Sequence, residues 1–386
     1  MKIVSVVGAR PNFMKIAPFI RAVEAHNQSL AGSGAPGIRH LLVHTGQHYD
    51  DNMSRAFFEA LDIPEADINL GIGSGSHAEQ VGLTMIAFEK VVRQERPDWV
   101  VVVGDVNATC ACSITAKKEH VRLAHIEAGL RSRDMTMPEE VNRLVTDRLS
   151  DLLFTPDRLS GENLRAEGVP EDRIRFVGNI MIDTLEAQRE KAAALDVADI
   201  VNRNRMGGGG LGAVPDPGQG FSLLTLHRPS NVDDPAILGA IVDFLTNELT
   251  RELTLLWTVH PRTEKQLRRF GLWDRVAAAR NMVLLTPLGY HELLRLNMDA
   301  AMVLTDSGGL QEECCVLGTP CLTLRWNTER PVTLREHGGA SVLVGNDVDR
   351  IRKTCREMLQ RGRTPARPEL WDGKTAARIV TALAGD

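Results

Sequence analysis

The chain has 386 residues, 43% of them hydrophobic and 25% charged, with a formal net charge of −5. That length exceeds what one compact core serves, so two domains are expected. Lys and Arg are scattered along the chain, which excludes nucleic acid or an anionic membrane as the main partner. No apolar run is long enough for a bilayer span or a signal peptide, so the expectation is a cytoplasmic protein.

Short β-branched runs alternate with amphipathic segments throughout. Strands are expected over 3–7, 39–44, 99–103, 121–126, 152–155 and 174–177, then over 221–226, 254–259, 282–286, 301–305, 320–324 and 341–344. Their continuous apolar character suits parallel strands covered on both faces by helices. The fold class is therefore α/β, with two doubly wound Rossmann-like domains and an active site in the cleft between them. Domain boundaries are set at 1–180, joined by a last helix over 370–386, and at 186–365. The Gly- and Pro-rich stretch 207–220 reads as a flexible surface insertion.

The first strand runs into Gly8-Ala-Arg-Pro-Asn12. A dinucleotide site would want G-x-G-x-x-G here, so no NAD or other cofactor is expected. Arg10 and Lys15, near a helix N-terminus, are candidates for holding phosphate, with two surface cations as the alternative. Asp105, just past the strand ending in Val103, is either a helix N-cap or a catalytic base, and in isolation the cap is preferred.

The densest chemistry lies in HIEAGLRSRDMTMPEEVNR, residues 125–143. Glu127, Glu139 and Glu140 crowd together with Arg131 and Arg133 at the end of a strand. That composition fits proton transfer at a bound anionic small molecule, or an exposed loop and a solvated helix face.

In the second half, His227 and His260 each close a strand. The lone His260 is read as structural, whereas His227, beside Arg228, tilts toward function. The run Leu304-Thr-Asp-Ser-Gly-Gly-Leu-Gln-Glu-Glu313 joins a strand to a helix. There Ser307 and the amides of Gly308 and Gly309 fit a diphosphate, and Glu313 fits ribose hydroxyls. The six cysteines form no C-x-x-C pair and read as reduced thiols, and no metal is expected.

Taken in order, GARPNFMK, HTGQHYD, GDVNAT, HIEAGLRS, MPEEVNR, VGNIMIDTL, LHRPSN and TDSGGLQEE with its following LGTP resemble the non-hydrolysing UDP-N-acetylglucosamine 2-epimerases over nearly the whole chain. The resemblance implies a glycosyltransferase-B-like fold whose last helix returns to the N-terminal domain. It also implies reversible C2 epimerisation of UDP-N-acetylglucosamine to UDP-N-acetylmannosamine through a glycal, in polysaccharide biosynthesis, by a homodimer. By motif, Asp105, Glu127 and Glu139 match acid and base residues and His227 a phosphate contact. Arg10, Lys15 and Arg143 match substrate-site residues, Ser307, Gly308 and Gly309 the diphosphate loop, and Glu313 the ribose ligand.

Three places depart from the family pattern. Gln47-His-Tyr49 and the segment 73–80 lack the arginines of an activator site, so substrate activation is not expected. Leu293 stands where relatives place a uracil-contacting Phe, which leaves Tyr290 as the aromatic candidate. HRPSN replaces the commoner HRREN. Alternatives are an epimerase of a modified UDP-sugar such as a diacetamido-uronic acid, a hydrolysing epimerase, a glycosyltransferase of the same fold, or a non-catalytic sensor.

Overall fold

The computed structural model describes residues 1–8, 10–32, 34–46, 61, 63–207, 210, 212–215 and 220–385, with only the backbone course of 10 and 11. Two compact units divide it: Met1–Ala187 with Pro368–Asp386, and Gln188–Arg367. The boundary thus falls just after the sequence-based one.

The first unit holds β1 (Lys2–Val7), β2 (Arg39–His44), β3 (Ile68–Asn69), β4 (Trp99–Val103), β5 (Arg122–Ile126), β6 (Leu152–Thr155) and β7 (Ile174–Phe176). All pair in parallel, in the order β3-β2-β1-β4-β5-β6-β7. Only β3 was not foreseen, because two residues carry no readable period. Every residue of β4 is buried, as a strand covered on both faces requires.

The second unit repeats the plan with β8 (Phe221–Leu226), β9 (Thr254–Val259), β10 (Met282–Leu285), β11 (Met302–Thr305), β12 (Cys321–Thr323) and β13 (Ser341–Leu343). Its order is β10-β9-β8-β11-β12-β13. Along β8, Leu224 and Leu226 enter one apolar cluster and Phe221 and Leu223 another. This alternation packs helices on both faces. In each unit the order reverses direction beside the first strand, and ligands of such sheets bind there, beyond the strand carboxyl ends.

The stretch expected to be a flexible insertion is partly fixed. Just before it Met206 N donates to Leu284 O at 2.9 Å, and within it Gly212 N donates to Met282 O at 2.9 Å, along the free edge of β10. A Cβ on Gly212 would stand 2.7 Å from Met282 O, so glycine permits this approach. The open edge of a sheet is thereby covered; the rest of the stretch lies partly outside the described residues.

The last helix, Thr375–Gly385, belongs to the first unit and packs on the helix Arg10–Ser29. The Asp183 carboxylate accepts from Thr375 N at 3.0 Å and Ala376 N at 2.7 Å, closing the helix's N-terminus. Among the described residues no helix is long and apolar enough to cross a membrane.

Candidate active site

In the first unit the chemistry gathers at the tips of β1, β4 and β5. The helix after β1 turns Lys15 inward, where its ammonium bonds Glu127 at the end of β5; their side chains are 8% and 2% exposed. Asn12, on the same helix, donates through Nδ2 to Val103 O at 2.8 Å. Between them lies Gly104, with φ of 68°. A Cβ there would come within 3.1 Å of Lys15 Nζ, 3.2 Å of Asn12 Nδ2 and 3.5 Å of Glu127 Oε2. Glycine is favoured twice over, by the positive φ and because a side chain would press on the Lys15 ammonium and the Asn12 amide.

Asp105 is not a cap. The helix Asn107–Lys118 takes Val106 as its N-cap residue, with no side-chain bond. The Asp105 carboxylate, a quarter exposed, instead pairs with the Arg143 guanidinium. Arg143 is itself buried and donates to Glu140 Oε2 from Nε at 2.9 Å and from Nη2 at 2.6 Å. Glu140 in turn accepts from Ser132 N at 3.0 Å and Arg133 N at 2.9 Å. Burial pulls the Glu140 carboxyl up, but these amides and Arg143 outweigh it and hold it below its ordinary value.

The two adjacent glutamates therefore divide. Glu140 points inward as a brace, while Glu139, half-buried in the first turn of Pro138–Leu149, makes no hydrogen bond or ion pair among the described residues. Arg143, expected to bind substrate, is committed to Asp105 and Glu140. Arg131 is committed too: Nη1 lies 2.7 Å from Asp147 Oδ2 and Nη2 2.7 Å from Glu167 Oε2. The exposed Arg133 donates from Nη2 to Asn163 Oδ1 at 3.0 Å. Arg10 opens its helix, and its side chain lies outside the described residues.

In the second unit His227 and Asp306 follow adjacent strands β8 and β11. His227 Nδ1 lies 2.7 Å from Asp306 Oδ1, with the His side chain 40% exposed and the Asp fully buried. The same carboxylate accepts from Arg228 N at 2.8 Å and Asn231 Nδ2 at 3.1 Å. Burial pulls Asp306 up, yet His227 and the two backbone amides prevail and keep it ionised below its ordinary value. The pair orients the imidazole so that Nε2 is the nitrogen left to meet a ligand. In HRPSN, then, the Asn serves Asp306.

Ser307 sits at the N-cap position of Gly308–Leu317 and makes no side-chain cap bond. A Cβ on Gly308 would stand 2.7 Å from Arg330 Nη1, so the bare glycine backbone lies against a guanidinium. Arg330 is itself paired with Glu329 and lies with Nε 2.8 Å from Glu312 Oε1. Sequence reasoning missed Arg330, which follows β12 in a loop with no motif around it; Asp306 was overlooked inside a motif that was quoted. Glu313 is buried, its carboxyl beside the Tyr290 hydroxyl and Asn297, and burial pushes it up to about 7. Tyr290 is only 5% exposed, so it faces that carboxyl rather than offering an open aromatic surface. His260 Nδ1 accepts from Arg262 N at 3.1 Å, the structural cap role expected for it.

The segment 73–80 is used locally: Ser76 and Glu79 form a capping box for His77–Glu95. Gln47-His-Tyr49 lies outside the described residues. Among the described residues no group of three His, Cys, Asp or Glu is arranged for a metal.

A family model for UDP-N-acetylglucosamine 2-epimerase matches residues 31–384. The chain belongs to that family. A UDP-N-acetylglucosamine 2-epimerase of Methanocaldococcus jannaschii is 40% identical over 99% of both chains. A UDP-2,3-diacetamido-2,3-dideoxy-D-glucuronate 2-epimerase of Pseudomonas aeruginosa is 37% identical over 100% of this chain and 99% of its own. The crystal structure of the M. jannaschii enzyme in complex with UDP-GlcNAc and UDP matches with a TM-score of 0.85 at 39% identity, covering 100% of each chain.

Proposed function

We propose that this family member interconverts UDP-N-acetylglucosamine and UDP-N-acetylmannosamine. The observation that carries the reading is the pair of carboxylates around Gly104, each held by its own cation: Asp105 by Arg143, and Glu127 by Lys15. Carbon 2 of an N-acetylhexosamine has no neighbouring carbonyl carbon to stabilise a carbanion, so simple proton exchange there is too slow. Elimination avoids the carbanion. A base takes the C2 proton, the C1–O bond breaks with its electron pair leaving on UDP, and a C1=C2 glycal forms. UDP then adds back at C1 while C2 is protonated on the opposite face.

Asp105, Glu127 and Glu139 are the proton-moving residues of this reading. His227, Ser307, Gly308 and Gly309 stabilise the departing diphosphate, with Arg10 and Lys15 supplying positive charge. Glu313 takes the ribose. Arg143 acts through Asp105 rather than on substrate. All six cysteines are free and buried, in keeping with a reducing cytoplasm. Leu83 and Ile86, 50% and 61% exposed on one helix, are in keeping with a homodimer.

A second reading has support in the P. aeruginosa relative, nearly as similar as the first: the substrate would be a diacetamido-uronate UDP-sugar. Proton NMR in D₂O with each UDP-sugar separates them. The expected result is UDP-N-acetylmannosamine formed from UDP-N-acetylglucosamine, with deuterium at C2 of both. Turnover of the uronate alone selects the second reading. Free N-acetylmannosamine with UDP marks a hydrolysing enzyme, and no turnover of either by protein that still binds UDP defeats epimerisation.

A further inference from the structure

His125 is completely buried, one residue before the end of β5 and two before Glu127. Its Nε2 lies 2.8 Å from Gly104 O and its Nδ1 2.6 Å from Asp147 Oδ1. A carbonyl oxygen only accepts, so Nε2 carries a proton. Asp147 Oδ2 is engaged by Gly129 N at 3.0 Å and Arg131 Nη1 at 2.7 Å, and burial is outweighed by His125 and Arg131 to keep that carboxyl below its ordinary value. The Nδ1 contact to Asp147 anchors the opposite side of the ring.

We propose that His125 is the positioning residue of the acid cluster, fixing the Gly104–Asp105 peptide that sets Asp105 against Arg143 and leaves room for the Lys15–Glu127 pair. Gly104, at φ of 68°, has little of its own to hold that peptide plane. Three bonds fix it and its neighbours. Gly104 N donates to Ile126 O at 3.1 Å, His125 takes the Gly104 carbonyl, and Asn142 Nδ2 donates to Asp105 O at 2.9 Å. The histidine's bond is the fully buried one, and it alone grips the Gly104–Asp105 peptide itself. Behind it, Asp147, Arg131 and Glu167 alternate in sign out to Glu167, whose side chain is 38% exposed. The ring is therefore anchored without touching substrate. A loosened Gly104 carbonyl would let Asp105 turn away from Arg143 and would shift the floor beneath Lys15 and Glu127.

The inference rests on the epimerase reading, and its test keeps the two apart. Two variants are compared with wild type: His125→Gln, which keeps a donor for the Gly104 carbonyl but not the imidazole's link to Asp147, and His125→Leu, which keeps neither. Nitrogen-15 NMR of histidine-labelled wild type should show one ring whose Nε2 proton is hydrogen-bonded and shielded from exchange, a signal absent from His125→Gln. In the D₂O assay kcat should fall about 100-fold in His125→Leu, the scale of a misplaced catalytic group. KM and the Kd for UDP should stay within about threefold, since the diphosphate loop belongs to the other unit. His125→Gln should recover part of kcat. A merely structural histidine would lower Tm in both variants and leave kcat per folded molecule unchanged, which overturns the proposal. So does an Nε2 that carries no proton. If His125→Leu does not fold, His125→Gln alone decides by the same kcat, KM and NMR readings. Should wild type turn over no UDP-sugar, the epimerase reading fails, and the ring's protonation together with UDP affinity in His125→Gln still judges the arrangement.

Discussion

Near pH 7 the Glu313 carboxyl is half ionised in the folded chain: burial pushes it up to about 7, Tyr290 resists and Glu312 adds to the rise. Unfolded, it titrates near 4.5. As pH rises from 4.5 through 7 the unfolded chain releases a proton that the folded chain keeps, so folded stability falls across that window. Glu313→Gln should therefore raise Tm at pH 8 by several degrees relative to its effect at pH 4.5, read by calorimetry; equal shifts at both pH values would refute the assignment. His40 has the reverse sign. Burial, opposed by Asp67, lowers it to about 4 from 6.5, so stability is lost as pH falls from 6.5 toward 4. His40→Gln should blunt that acid loss in a melting series. Neither group was marked as unusual by sequence, because burial depends on what the fold packs around it. The same holds for Glu139 and Glu140, which are indistinguishable in a row of letters and become opposites once a helix turns one of them inward.

Strands and their order of appearance were legible because parallel sheets demand continuous apolar runs, as in Trp99–Val103. The partners of the strand tips were not. Arg143 reaches Asp105 from a helix 38 residues further along, and no local pattern encodes that contact. Arg143→Met leaves Glu140 buried with its charge unmatched, which should cost about 3–5 kcal/mol in urea unfolding and also lower kcat. A drop in kcat with no loss of stability would mean the guanidinium acts on substrate instead. Gly104→Ala probes the neighbouring tip. The left-handed conformation costs alanine only about 1–2 kcal/mol, but its methyl group would crowd the Lys15 ammonium and Asn12. The expected outcome is a folded protein with strongly reduced kcat and unchanged UDP binding; full activity would show that Gly104 is needed for its backbone alone.

At the scale of the whole chain, the first unit is completed by a segment that arrives after the second has been made. The chain leaves the first unit at Ala187 and re-enters it at Pro368. There Trp371 is 1% exposed with Nε1 donating to Pro156 O at 2.9 Å, and Ile379, Val380 and Leu383 are buried against the rest of the unit. Each such side chain contributes about 1.5–3 kcal/mol, so together they approach the whole stability of an ordinary domain, about 5–15 kcal/mol. The helix they belong to packs on Arg10–Ser29, which carries Lys15. Truncation after Arg367 should therefore unfold or loosen the first unit selectively. The second unit keeps its full sheet, with His227, Asp306 and the Ser307–Gly309 loop, and should still bind UDP by calorimetry while turnover disappears. Limited proteolysis of the truncated chain should then cut within residues 1–187 and spare 188–367. If both units melted together and UDP binding vanished as well, the second unit would depend on the first for its fold.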